Sequence, residues 1–491
     1  MRAALSLILG VMLAASSLAE TTWWSPNEVR EFPQSLSYPN AHGVSTTLNV
    51  GGPTSTVDHP FFAAHGENGR ACVSCHQPSD GMSLSVDTIR QRWEETQGKD
   101  PIFAANDGAN CPSLPQNDAA SHSLMLERGL VRVARPWPPR TIDGAAIDPE
   151  FTLEVVRDPT RCNLDPKHGL KSVQPTVSVY RRPRPATNVK YLTAVGFPFE
   201  PKNGMPLPTD AETGQMVSGN ILSDNRVPTI RAQIRDAFQT HLAVTTPVAK
   251  TTVDSIEAFL QQLHSAQTVH RVGGLLNEGG ASGGPEALRD AREGDLQYGA
   301  SPIWKEFASW MKPESRGARD AQQSAFRESV ARGAEIFAKR TFLIDDSAGI
   351  TNMGFGSPVR NSCAFCHNMQ RTGMDIAPGQ VDIGTTNSPH ANSSPELPLF
   401  KLTCKPNARP HPYLGRVVYT QDPGFALTTG KCVDIGKITA QQMRALAARA
   451  PYFSNGSAKT LREIVDYYDR RYRIGFSEQE KQDLTNLMSV L

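Results

Sequence analysis

Two five-residue runs, Cys72-Val73-Ser74-Cys75-His76 and Cys363-Ala364-Phe365-Cys366-His367, constrain this chain more than any other feature. Each reads C-x-x-C-H. That spacing lets two thiols add to the vinyl groups of one porphyrin and leaves the adjacent imidazole to bind iron from the proximal side. A chain with two such runs has to wrap two flat apolar plates, clipped at residues 72–76 and 363–367. The same spacing also serves redox dithiols and half of a zinc site. Two copies behind an export-type leader favour covalent c-type haem, with His76 and His367 as proximal ligands.

The leader begins with Arg2, continues through an apolar run from Ala3 to Ala15, and ends in Ser17-Leu18-Ala19 before Glu20. Residues 1–19 therefore read as a signal peptide, and the expected location is the periplasm. The run is shorter than the roughly 20 residues of a bilayer span, and no later segment is both that long and uncharged. No membrane insertion of the mature chain is expected. Lys plus Arg number 50 against 49 for Asp plus Glu. That balance gives no argument for nucleic-acid or anionic-membrane partners. With 37 prolines and 38 glycines, a large share of the backbone must be loop, and bound macrocycles would supply apolar surface that the side chains need not.

Four of the eight cysteines belong to the two runs, leaving Cys111, Cys162, Cys404 and Cys432. In an oxidising compartment an even remainder suggests two disulfides. Three connectivities exist, and Cys111–Cys162 with Cys404–Cys432 is preferred because each pair lies between neighbouring landmarks.

One C-x-x-C-H run falls in each half, which suggests two haem domains. Residues 20–60 are polar and turn-rich, an extended lead-in. Residues 61–320 form the first unit, with a loop-rich insertion at about 78–175 marked by Pro-Trp-Pro-Pro at 136–139. Residues 321–491 form the second unit. Apolar spacing of three and four predicts helices over 229–242, 253–266, 326–338 and 461–472. Ser477 with Glu480 three residues on is a capping box for a last helix. Strand-like alternation is scarce, so the expected class is mainly α, two cytochrome c-like haem domains with long loop-rich insertions.

The run Ala450-Pro451-Tyr452-Phe453-Ser454-Asn455-Gly456-Ser457-Ala458-Lys459-Thr460-Leu461 resembles the A-P-Y-F-H-[DN]-G-S-x-x-T-L signature of the bacterial dihaem cytochrome c peroxidase and MauG family. Asp224-Asn225-Arg226-Val227-Pro228-Thr229-Ile230-Arg231-Ala232-Gln233 resembles the family's D-G-R-x-x-[ST]-L-x-x-Q, and Arg182-Pro183-Arg184-Pro185-Ala186-Thr187 its R-N-x-P-[ST]. The resemblance covers about 60–75 and 180–491. It implies a peroxide-reacting haem at His76 and an electron-transfer haem at His367. It also implies hydrogen peroxide as substrate and a small redox protein donor or a protein substrate as partner.

Fourteen residues after Ser454, where the peroxidases of this family carry a methionine haem ligand and the MauG maturation enzyme a tyrosine, stands Tyr468; adjacent Tyr467 leaves the register open. Gln233 matches the glutamine over the peroxidatic haem. The family's distal glutamate position is Ala243, and His241 is the nearest group able to move a proton. Ser223 stands where the family has an inter-haem tryptophan, and Ser454 where it has the signature histidine. The family's calcium between the haems would here be held by the carbonyls of Arg449 and Pro451, with Pro183 in place of its asparagine. The expected function is a periplasmic dihaem peroxidase-like oxidoreductase. Alternatives are MauG-like oxidation of a protein or organic substrate, a dioxygen-using dihaem oxygenase, and a dihaem electron-transfer cytochrome.

Overall fold

A computed structural model of the chain describes residues 22–193, 209–214, 217–290, 305–351, 357–367 and 379–491. The expected signal peptide, residues 1–19, lies outside them. The class is mixed α/β and not mainly α: 32% of the described residues are helical and 19% are strand. The strands form six small antiparallel sheets among the described residues. Several of them join strands far apart in the sequence, which a search for local periodicity does not register.

The lead-in illustrates the correction. Ser35–Asn40 pairs with Gly43–Asn49, and that strand pairs with Leu263–His270. Thr47 Oγ1 and Ser265 Oγ share a hydrogen bond of 2.6 Å inside this sheet. The predicted helix over 253–266 is accordingly shorter, running over Lys250–Gln261, and its last expected turn belongs to the strand. Trp24 and Phe32 from the lead-in are buried with Phe61, Phe62 and Phe259 in one core.

The stretch at 78–175 is also more than loop. Val131–Pro136 pairs with Thr176–Arg181, and Phe151–Arg157 pairs with Leu399–Cys404, which in turn pairs with Val417–Thr420. The first half thus lends a strand to a sheet completed by the second. Ile89, Ile102, Val133, Val177, Phe400 and Leu402 bury together beneath it. Cys111 is bonded to Cys162 and Cys404 to Cys432, with Cα–Cα separations of 5.1 and 5.9 Å.

Around the second run, Ala321–Lys339, Leu461–Tyr472 and Glu478–Met488 pack as helices. Ser477 and Glu480 cap the last one reciprocally. Gly333 lets the first and last approach closely, because a Cβ there would overlap the Asp483 carbonyl oxygen. Val330, Ala334 and Leu487 are buried in that contact.

Candidate functional site

Each C-x-x-C-H run opens on its own cavity. The first, about 1290 Å³ with its mouth, is lined by Cys72, Cys75 and His76 on one side and by Gln233, Ala237 and His241 on another. The second, about 1510 Å³ with its mouth, is lined by Cys363, Cys366, His367 and Tyr468. Both are mostly apolar in their lining, as ligand pockets are. Arg182 and Pro183 belong to the walls of both.

Both runs take the same local form, a single 3-10 turn over Cys72–Ser74 and over Cys363–Phe365. Burial pushes the Cys72 and Cys363 thiols up to about 12. A redox dithiol requires a lowered thiol pKa, so these are poor exchange catalysts. Among the described residues no three His, Cys, Asp or Glu side chains gather as a metal cage. His76 Nδ1 lies 3.1 Å from the Met82 carbonyl oxygen. That bond fixes the tautomer and leaves Nε2 as the ligating nitrogen. Buried sulfurs, an oriented imidazole and a mostly apolar cavity fit a haem at the first site.

Helix Ile230–Thr240 carries the far wall. Thr229 caps it, Oγ1 accepting from Ala232 N at 3.1 Å, and Ile230, Ile234 and Phe238 anchor its buried face. Gln233, Ala237 and His241 recur every four residues and so share the cavity face. A rise of 1.5 Å per residue puts Gln233 and His241 about 12 Å apart along the axis. They share the cavity without touching. Ala243, at the family's glutamate position, has a left-handed backbone with φ of 54°.

His241 has partners that sequence reading missed. Its Nδ1 is 2.6 Å from Asp107 Oδ2, and Asp107 is also ion-paired to Arg70. Arg70 is anchored in turn by Nε donating to Pro101 O at 2.7 Å. Arg70 and Asp107 are both buried. Burial, with added repulsion from Arg226 and Arg70, pushes the His241 imidazole down to about 4. At neutral pH it is therefore uncharged, donating Nδ1–H to Asp107 and keeping Nε2 as an acceptor. Asp107 lies 134 residues before His241, in the supposed insertion, and no motif marks it. Arg70, two residues before Cys72, carried only its position as a signal.

At the second site, His367 Nε2 is 3.4 Å from Tyr468 Oη. Metal bonds to imidazole nitrogen and to oxygen are each about 2.0–2.2 Å. An iron between the two atoms needs a separation of about 4 Å, a shift of several tenths of an ångström. Tyr467 instead donates to the Ile383 carbonyl oxygen at 2.7 Å. Burial raises the Tyr468 hydroxyl pKa well above 10. A cation at the cavity would be required to make it an anionic donor.

The calcium expectation does not fit. The Arg449 carbonyl oxygen accepts from Arg182 Nη2 at 2.8 Å, so a guanidinium occupies the approach to one proposed ligand. Pro183 brings no side-chain oxygen. Ser223 and Ser454 line the first and second cavities respectively.

No protein-family model matches the chain. A cytochrome-c peroxidase of Pseudomonas sp. (strain SCT), IdrP1, is 35% identical over 81 residues, which is 14% of this chain and 21% of that protein. The chain thus spans about a fifth of that curated relative's length. This supports a cytochrome c peroxidase-like relationship at most. Hydrazine synthase of Kuenenia stuttgartiensis superposes over 83% of this chain and 93% of its own, at a TM-score of 0.30 and 13% identity. A likeness that low carries no argument.

Proposed function

We propose that the chain is an exported, periplasmic dihaem peroxidase-like oxidoreductase, with hydrogen peroxide as substrate of the His76 site and the His367 site as its electron store. The observation that carries this reading is the Arg70–Asp107–His241 chain lining one cavity with His76, set against Tyr468 3.4 Å from His367 in the other. A bound haem with an open sixth position supplies peroxide binding and electron exchange; one with its sixth position filled supplies electron transfer.

The residues then divide the work. Neutral His241 accepts a proton from peroxide at Nε2 and can return it to the departing oxygen, while Asp107 accepts the Nδ1 hydrogen bond and Arg70 holds Asp107 in place. Gln233, two turns away, offers an amide hydrogen bond to the same cavity. Leu242, Ile256 and Leu260 exclude water from the lining. Tyr468, an oxygen donor in place of the thioether used by related peroxidases, favours the oxidised state of the second site. That tilts the reading toward a protein or organic substrate over simple turnover with a small redox protein.

The test is the purified holoprotein. Two covalent haems, a high-spin ferric component and catalysed loss of peroxide are expected. Peroxide loss with and without a reduced small cytochrome separates the donor classes. Wholly low-spin iron with no peroxide loss would make the protein an electron carrier and end the proposal.

A further inference from the structure

The wall between the two cavities holds three arginines that the proposed reaction does not use. Arg182 lines both cavities, Arg184 the first and Arg449 the second. Arg182 and Arg449 are each only 7% exposed. Several buried guanidiniums elsewhere meet carboxylates: Arg181 with Asp224 and Asp422 at 2.7 and 2.6 Å, Arg226 with Asp224 at 2.9 Å, Arg70 with Asp107; Arg132 instead donates to Ser178 Oγ and the Asn106 carbonyl at 2.8 and 2.9 Å. At the wall the pattern changes. Arg182 donates to the carbonyl oxygens of Leu84 and Arg449, and Arg449 to those of Gln442 and Arg444. Arg184, beside them, counts the carbonyls of Leu222 and Ala440 at 2.9 and 3.0 Å among its partners; the contrast in pairing concerns Arg182 and Arg449. Among the described residues no carboxylate lies within ion-pair distance of Arg182 or Arg449. Carbonyl dipoles, and for Arg182 the attraction of the more distant buried Asp80, offset part of the cost of burying a cation, but a buried charge with no direct counter-ion remains expensive.

We infer that Arg182, Arg184 and Arg449 form a carboxylate site that receives the propionate side chains of the two haems and takes the place of a calcium ion between them. The inference rests on the dihaem reading above. The propionates are the carboxylates that a haem in each cavity would itself bring. Planar guanidinium forks suit them geometrically as well as in charge. A divalent cation on the Arg449 carbonyl would instead sit within a few ångströms of the Arg182 guanidinium. Calcium needs six to eight oxygen ligands, and this wall places positive charge around the two carbonyls on offer.

Three measurements on the holoprotein test it. Haem is quantified first; fewer than two per chain removes the underlying reading itself. With two present, the protein is loaded with calcium, desalted and assayed by elemental analysis. Less than a tenth of an equivalent is expected, and one retained equivalent overturns the inference. Spectroelectrochemical titration then follows each centre separately. Arg184→Gln should lower the midpoint potential of the His76 centre alone, Arg449→Gln that of the His367 centre alone, and Arg182→Gln both. Lysine at each position should restore most of the shift. Unchanged potentials in all three glutamine variants with full haem content overturn the inference. So does a wild-type potential that moves on adding acetate and no longer does in the variants, since the site would then serve a free carboxylate. If a glutamine variant does not fold, the wild-type calcium assay still decides.

Discussion

His241 owes its proposed role to Asp107. A neutral imidazole has two tautomers, and only the one with its proton on Nδ1 leaves Nε2 free to take a proton. The 2.6 Å contact to Asp107 selects that tautomer. Asp107→Asn should therefore lower kcat/KM for peroxide about 10–100-fold at unchanged haem content, and His241→Ala roughly 10²–10⁴-fold. With His241 titrating near 4, kcat/KM in the wild type should stay level from pH 7 to about 5 and fall only below that. An acid limb near 6.5 would show an ordinary solvated histidine and contradict the arrangement. Tyr468→Phe should change the ferric spectrum of the second centre and raise its potential, because a hard anionic donor is lost; an unchanged spectrum would remove Tyr468 as a ligand. Tyr468 and His241 could be named as candidates from the sequence because each stands in or beside a patterned run. Asp107 was not. Its role depends on a backbone path of more than a hundred residues that no local spacing encodes.

At the scale of the element, helices were readable and strands were not. Leu461–Tyr472 follows its apolar period end to end, with Leu461, Val465 and Tyr472 buried. Thr460 caps it, its hydroxyl accepting from Glu463 N at 3.2 Å. Thr460→Ala should cost about 1 kcal/mol in urea unfolding and leave the spectrum of the second centre intact, since Tyr468 lies two turns further on. A lost spectrum instead would mean that the cap positions the ligand itself. The strand Leu263–His270 escaped reading for a physical reason. Its residues 263–266 continue the apolar spacing of the preceding helix, and only pairing with Gly43–Asn49, over two hundred residues earlier, makes them extended. The insertion strand Phe151–Arg157 finds its partner in the other half of the chain. Such long-range pairing is where local propensity loses to tertiary contact.

For the molecule as a whole, burial of titratable groups sets how it should respond to acid. His264 and His270 sit on one strand, 3% and 6% exposed. Burial pushes both down to about 4, with Lys190 and Arg289 adding to the effect at His264, and His42 and Arg271 at His270. Asp290 opposes it at His264. His241 is lowered to the same range, chiefly by burial. Between about pH 4 and 6.5 the unfolded chain would bind a proton on each of these rings that the folded chain refuses. Stability therefore falls as pH drops through that window, by up to about 1.4 kcal/mol per pH unit for each ring, and these groups add no slope above pH 7. Asp224, buried among Arg226, Arg181 and Arg135, has its pKa lowered and its contribution lost only at more acid pH, below the ordinary carboxylate range. The two classes thus act in sequence, histidines first. Denaturant midpoints of the holoprotein, taken at steps from pH 8 to 4, should hold level and then decline below about 6.5. The double variant His264→Gln/His270→Gln should decline less steeply over the same range. A wild-type midpoint level down to pH 4 would mean that these imidazoles take up protons in the folded state, and the closed strand around them would have to open to water.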